Sequence, residues 1–146
     1  MLVRLAYVSR AVGVVTQPMM DSILQTSRKN NPANGVTGVL CTNNYIFLQL
    51  LEGGRKEVSE TYNRIARDPR HNDVQLLHME EVSERKFAGW SMGKVSFDRV
   101  NLAILLKYSA KSVLDPYSVP GASSIALLDE LMATASVASN GNSSRG

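Results

Sequence analysis

Apolar and polar positions alternate along residues 2–9, with Leu2, Arg4, Ala6 and Val8 on one side and Val3, Leu5 and Tyr7 on the other, which is the period of a strand. After a loop over 11–15, Met20, Ile23, Leu24 and Ser27 recur at helical spacing, with Thr16 suited to the N-cap and Pro18 to the first turn. This helix is expected to run out at Lys29, Asn30, Asn31 and Pro32, because a proline disfavours helical geometry in the residue before it, and Asn34 with Gly35 supplies a turn. Two strands follow, 36–42 and 45–52, joined by a tight hairpin at Asn43 and Asn44, since asparagine tolerates positive φ. Gly53 and Gly54 are expected to break the strand before a second helix over 55–67, whose inner face is Val58, Tyr62 and Ile65 and which Asp68 and Pro69 end. A fourth strand covers 74–82, a polar connection 83–89, and a short fifth strand 90–97.

The order β-α-β-β-α-β plus one more strand is an α+β, ferredoxin-like arrangement, a sheet with both helices on one face. After Asp98 the pattern changes to a short amphipathic helix over 102–108, a loop over 115–121, and a second helix over 123–135 with Ile125, Leu128 and Leu131 in register. This pair is expected to cap the open sheet face or a partner. The chain thus divides into a domain at 1–98, a helical extension at 99–136 and a small, polar tail at 137–146 expected to be disordered.

With 146 residues, 44% apolar and 20% charged, this is the composition of one ordinary globular domain with a small appendage. No apolar run approaches the roughly 20 residues of a membrane span, and the first residues enter a strand pattern at once, so neither a membrane segment nor a signal peptide is expected. The single cysteine, Cys41, lies in an apolar strand and excludes an internal disulfide or a cysteine metal cluster, which points to the cytoplasm. The net charge of +3 comes from scattered Lys and Arg without aromatic interleaving, so nucleic acid is not an expected partner.

Catalytic chemistry finds no foothold. His71, His78 and Cys41 have no metal-site spacing, no GxGxxG or Walker sequence is present, and Gly53 with Gly54 reads as a loop. One residue stands out. Gln49 sits among Phe47, Leu48, Leu50 and Leu51, where an amide with unmet hydrogen bonds costs about 1–3 kcal/mol. It either faces solvent by strand alternation or is aimed at a bound ligand.

Four stretches bear on that choice: LAYVSR with Tyr7, SRKNNPANGVTGVL with Asn31, FLQLLEG with Gln49, and RDPRHNDV followed by FAGWSM. In this order and spacing they resemble the BLUF family, flavin-binding blue-light photoreceptors, over residues 1–97. The resemblance implies a ferredoxin-like sheet whose two helices hold the isoalloxazine ring, and a C-terminal two-helix extension in short members, of which LLKYS is similar to the start. It implies FAD as cofactor, with FMN the alternative.

By the same resemblance Tyr7 is the photoactive tyrosine, Gln49 the glutamine between it and flavin N5/O4, and Asn31 the partner of the pyrimidine edge. Lys29 and Asn30 fall close to the flavin or its ribityl chain; Arg64, Asp68, Arg70 and His71 fall near the ribityl and phosphate; Ile23, Leu24 and Ile65 sandwich the ring. Trp90 and Met92 match a Trp and a Met on the fifth strand, either of which could face Gln49. The expected activity is light sensing without substrate turnover. Its output would pass to a separate signalling protein, because no room for an enzyme domain follows Phe97, or to a homo-oligomer, a dimer or larger. A small flavin-dependent redox enzyme is the alternative, and a ligand-free ferredoxin-like assembly module a third reading.

Overall fold

The first strand carries apolar residues on both sides, Val3, Leu5 and Tyr7 on one and Ala6 and Val8 on the other, so both of its faces are buried and the rest of the sheet grows outward from it. The computed structural model describes residues 1–96, 102–134 and 137–138. β1 (Leu2–Ala11) pairs antiparallel with both β3 (Ile46–Gly54) and β4 (His71–Val82). β2 (Thr37–Thr42) lies antiparallel to β3, and β5 (Gly93–Ser96) runs parallel to β2. A two-residue β6 (Val137–Ala138) borders β5, giving the order β4-β1-β3-β2-β5-β6. The first four strands have the expected ferredoxin-like order. β6 falls where a disordered tail is expected; residues 139–146 of that tail lie outside the described residues.

α1 (Gln17–Asn34) and α2 (Arg55–Ala66) cover one sheet face. There Val3, Leu5 and Tyr7 of β1 meet Leu40, Phe47 and Leu51, with Met20, Leu24 and Val58 from the helices. The opposite face, Ala6, Val39, Cys41, Leu48 and Leu50, is covered by α4 (Gly121–Ala133) through Ile125, Leu127, Leu128 and Leu131, with Leu105 of α3 (Leu102–Tyr108) beside them. The C-terminal helices therefore do cap the second sheet face. No helix among the described residues is long and apolar enough to cross a membrane.

Several boundaries differ from the sequence pattern, each for a local reason. α1 begins as expected, Thr16 Oγ1 accepting from Met19 N at 3.2 Å. It does not stop before Pro32 but continues to Asn34, because the proline falls in the last turn and the helix closes beyond it. Gly35, at φ 67°, donates to Pro32 O at 3.3 Å while Val36 N donates to Asn31 O at 2.9 Å, the paired closure that needs a left-handed residue. The β2–β3 hairpin uses no positive φ at Asn43 or Asn44. Instead, Asn43 Oδ1 accepts from the backbone N–H of Tyr45 at 2.7 Å and of Ile46 at 2.9 Å. Gly53 and Gly54 continue β3 into α2 rather than breaking it, and β4 starts at His71 rather than 74, placing that histidine on the sheet. β5 begins only at Gly93, which leaves Trp90 and Met92 in the connection before it.

A buried ion pair fixes that connection to the sheet. Glu52, fully buried, accepts from Arg4 Nε at 2.7 Å, Lys86 N at 2.9 Å and Phe87 N at 2.8 Å. Every oxygen of the carboxylate thus has a donor, the condition under which a buried charge is tolerated.

Candidate functional site

The antiparallel register sets Tyr7 of β1 opposite Gln49 of β3, both facing the α1–α2 layer and both buried, at 2% and 3% exposure. Tyr7 Oη donates to Gln49 Oε1 at 2.5 Å, and Gln49 Nε2 donates to Met92 Sδ at 3.3 Å. A thioether only accepts, so the amide nitrogen must face Met92 and its oxygen is left for the phenol. Gln49 therefore does not face solvent. It is a buried amide using both of its ends.

Tyr7 and Gln49 form part of the wall of a cavity of about 160 Å³ between the sheet and the two helices, with Met92 behind Gln49, an order of magnitude more than a single water needs. Ile23 of α1 and Ile65 of α2 line it, with Leu40 and Phe47 on the sheet side. Asn30, Asn31 and Gln49 contribute amides, and Thr26, Ser27 and Thr61 hydroxyls. Asn31, only 4% exposed although on a helix, donates through Nδ2 to Ser91 O at 2.8 Å. Charged groups gather where α2 meets β4: Arg64, Asp68, Arg70 and His71.

The electrostatics at that end are internally settled. Arg70 engages Asp68, Nη2 to Oδ2 at 2.6 Å, and the pair holds the carboxyl below its usual range and the guanidinium above its own. His71 Nε2 lies 2.7 Å from Ile65 O, which only accepts, so Nε2 carries the proton and Nδ1 accepts from Ser9 Oγ at 2.7 Å. Burial lowers the imidazole below its ordinary value, in keeping with a neutral ring packed edge-on against Phe47. Burial, then Tyr62 and Asp68, push the Tyr7 phenol well above its ordinary value. Tyr7 is thus a neutral phenol at ordinary pH, with its O–H donated to Gln49.

Of the residues singled out from sequence, Tyr7, Ile23, Asn30, Asn31, Gln49, Arg64, Ile65, Asp68, Arg70 and His71 line the cavity. Lys29 does not: it is exposed, one helical step away from the inward pair. Leu24 packs in the adjoining core, not on the cavity wall. Met92 rather than Trp90 meets Gln49; Trp90 packs against the opposite, α4-covered cluster. Sequence reasoning missed Thr26, Leu40, Thr61 and the lining roles of Ser27 and Phe47. Leu40 stands in register with Gln49, and Phe47 two residues before it on the same face, so strand pairing was the signal that could have found both.

The sequence and the fold also match known proteins. Residues 2–93 match the model of the BLUF family, described as sensors of blue-light using FAD. The photoactivated adenylate cyclase subunit beta of Euglena gracilis is 35% identical over 92 residues, 62% of this chain but 11% of that protein. This chain therefore spans about a tenth of the curated relatives first matched. Among solved structures, BlrB, a BLUF protein in its dark state, is 31% identical over 91% of this chain and 96% of its own, with a TM-score of 0.71. The photo-activated state of BlsA is 27% identical over 90% of this chain and 95% of its own, with a TM-score of 0.79.

Proposed function

The chain belongs to the BLUF family, sensors of blue-light using FAD, and from that premise we propose that Tyr7, Gln49 and Met92 are the switch through which this protein reports light. The observation that carries the proposal is the continuous run Tyr7 Oη, Gln49 amide, Met92 Sδ, at 2.5 and 3.3 Å, which starts on the cavity wall at Tyr7 and Gln49 and leads away from it to Met92. The family match speaks for a blue-light sensor; nothing in it supports a flavin-dependent redox enzyme.

The cavity suits a flavin by its chemistry. Ile23 and Ile65 offer apolar faces to a flat ring, Asn31 and Gln49 offer amides to an edge of alternating carbonyl and N–H groups, and Arg64 stands at the rim for an anionic tail. Arg70 reaches such a tail only by sharing itself with Asp68. When bound, the flavin supplies a light-generated one-electron oxidant.

The protein's own steps follow from the hydrogen bonds. Tyr7 gives up an electron and its phenolic proton passes to Gln49 Oε1. The protonated amide loses its preference for one orientation. When electron and proton return to Tyr7, Gln49 is left turned or tautomerised, with its donor aimed into the cavity instead of at Met92. Atoms and electrons balance, and no substrate is consumed. Hydrogen bonds in this dry setting are stronger than in water, so one re-aimed amide biases its neighbours.

Residues 1–98 form the sensing unit in this reading, and the extension after it, with α3 and α4, carries the output to a separate protein or to a second copy of the chain. An absorption spectrum of the purified protein tests it. Oxidised flavin that shifts slightly to the red under blue light and recovers in darkness is the expected result. Flavin that bleaches without shifting would refute it.

A further inference from the structure

Taking the Gln49 switch as read, the geometry points to Arg28 as a positioning residue that holds Met92 where the glutamine amide must return. Met92 lies outside β5, in the connection 83–92, so strand pairing does not fix its backbone. Yet three successive carbonyls of that connection are each held. Gly38 N donates to Trp90 O at 3.0 Å, Asn31 Nδ2 to Ser91 O at 2.8 Å, and Arg28 Nε and Nη2 both to Met92 O at 3.2 Å. Arg28 and Asn31 are three residues apart, on one face of α1. The last carbonyl before the strand thus sits in the fork of a guanidinium, a geometry no lysine reproduces.

The consequence concerns kinetics. Met92 is fully buried, and its Sδ meets Gln49 Nε2 only because the backbone carrying it is placed there. When the amide turns away, Sδ loses its donor, but the Arg28 fork does not involve Gln49 and remains. The acceptor stays at the position to which Nε2 returns. Arg28 does not line the cavity, so it acts on the return of the switch and not on flavin binding or on the size of the spectral shift.

The test is Arg28→Gln in the flavin-loaded protein, in the Met92 background and in Met92→Leu, reading the flavin-to-protein ratio, the light-induced shift and the dark-recovery time. In the Met92 background the ratio and shift should stay as in the wild type while recovery slows by about tenfold, from the loss of a charge-assisted contact. In Met92→Leu the same substitution should change recovery by less than about twofold, since coupling through Sδ is gone. Arg28→Lys should fall between, and it carries the same comparison if Arg28→Gln does not fold. Unchanged recovery, or an equal change in both backgrounds, would overturn the inference while the wild-type red shift still upheld the Gln49 switch. A wild type that binds flavin and shows no shift would overturn both.

Discussion

Replacing Tyr7 by Phe removes one oxygen and leaves the ring in place against Tyr62, whose centroid lies 5.6 Å away. Gln49 Oε1, 3% exposed, then loses its 2.5 Å donor. A buried acceptor without a partner costs about 1–3 kcal/mol, offset in part because the phenol no longer has to be desolvated, so the net loss should be about 1–2 kcal/mol. For a chain of this size that lowers the melting temperature by about 3–6 °C. The pocket keeps its apolar faces and amides, so flavin should still bind. Phenylalanine has neither an accessible oxidation nor a proton to pass on, so the red shift should vanish. Thermal melts of wild type and Tyr7→Phe read the first effect, and dark-minus-light spectra of the loaded proteins read the second. A full red shift in Tyr7→Phe would refute the assignment whatever its stability. A melting temperature equal to the wild type's would mean that the short hydrogen bond contributes nothing.

Gln49→Leu should stay yellow and lose the shift, because leucine neither receives the Tyr7 proton nor donates to Met92; a retained signal in difference spectra would place the relay elsewhere. Glu52→Ala takes the acceptor from Arg4 Nε, leaving Arg4 its Glu80 and Glu84 contacts, and from the backbone N–H groups of Lys86 and Phe87, and should lower stability by about 3 kcal/mol, visible as a fall of about 1 M or more in the urea midpoint. His71 gives a pH dependence. Burial holds the folded imidazole below its ordinary 6.5, so below about that pH the unfolded chain binds a proton that the fold refuses. Stability is complete above that value and falls as pH drops beneath it, and a series of urea midpoints should show this decline in the wild type but not in His71→Gln.

The sheet and both covering layers were legible because their apolar periodicity is strong on either side: Val3, Leu5 and Tyr7 against one layer, Ala6 and Val8 away from it. The points that failed are those where one local bond overrides a residue's general preference. Pro32 does not end α1, because the Gly35 closure lies beyond it. Asn43 turns the chain through its side chain, not its φ. Lys29 and Asn30 are equal in a motif read along the chain, but a helix turns about 100° between them and only Asn30 reaches the cavity. Arg28 carried no signal at all. The carbonyl of Met92 that it holds lies 64 positions away, and a backbone atom leaves no trace in the sequence.

Trp90 and Met92 join the two faces of the sheet. They are two residues apart in a connection whose carbonyls are held, yet Met92 packs with the α1–α2 cluster and Trp90 with the cluster that α4 covers. The Gly93 position lies in close contact with both the Trp90 ring and Met132 of α4, since a Cβ there would come within 3.2 Å of each. Met92, Gly93 and Trp90 thus tie the two layers together through one short, closely packed stretch of backbone. Strands β2 and β3 give a stiffer link, as Leu48 and Leu50, which flank Gln49, are themselves packed under α4. The cavity and the C-terminal helices therefore lie on two faces of one sheet, and both β3 and the stretch from Trp90 to Met92 reach the two layers at once.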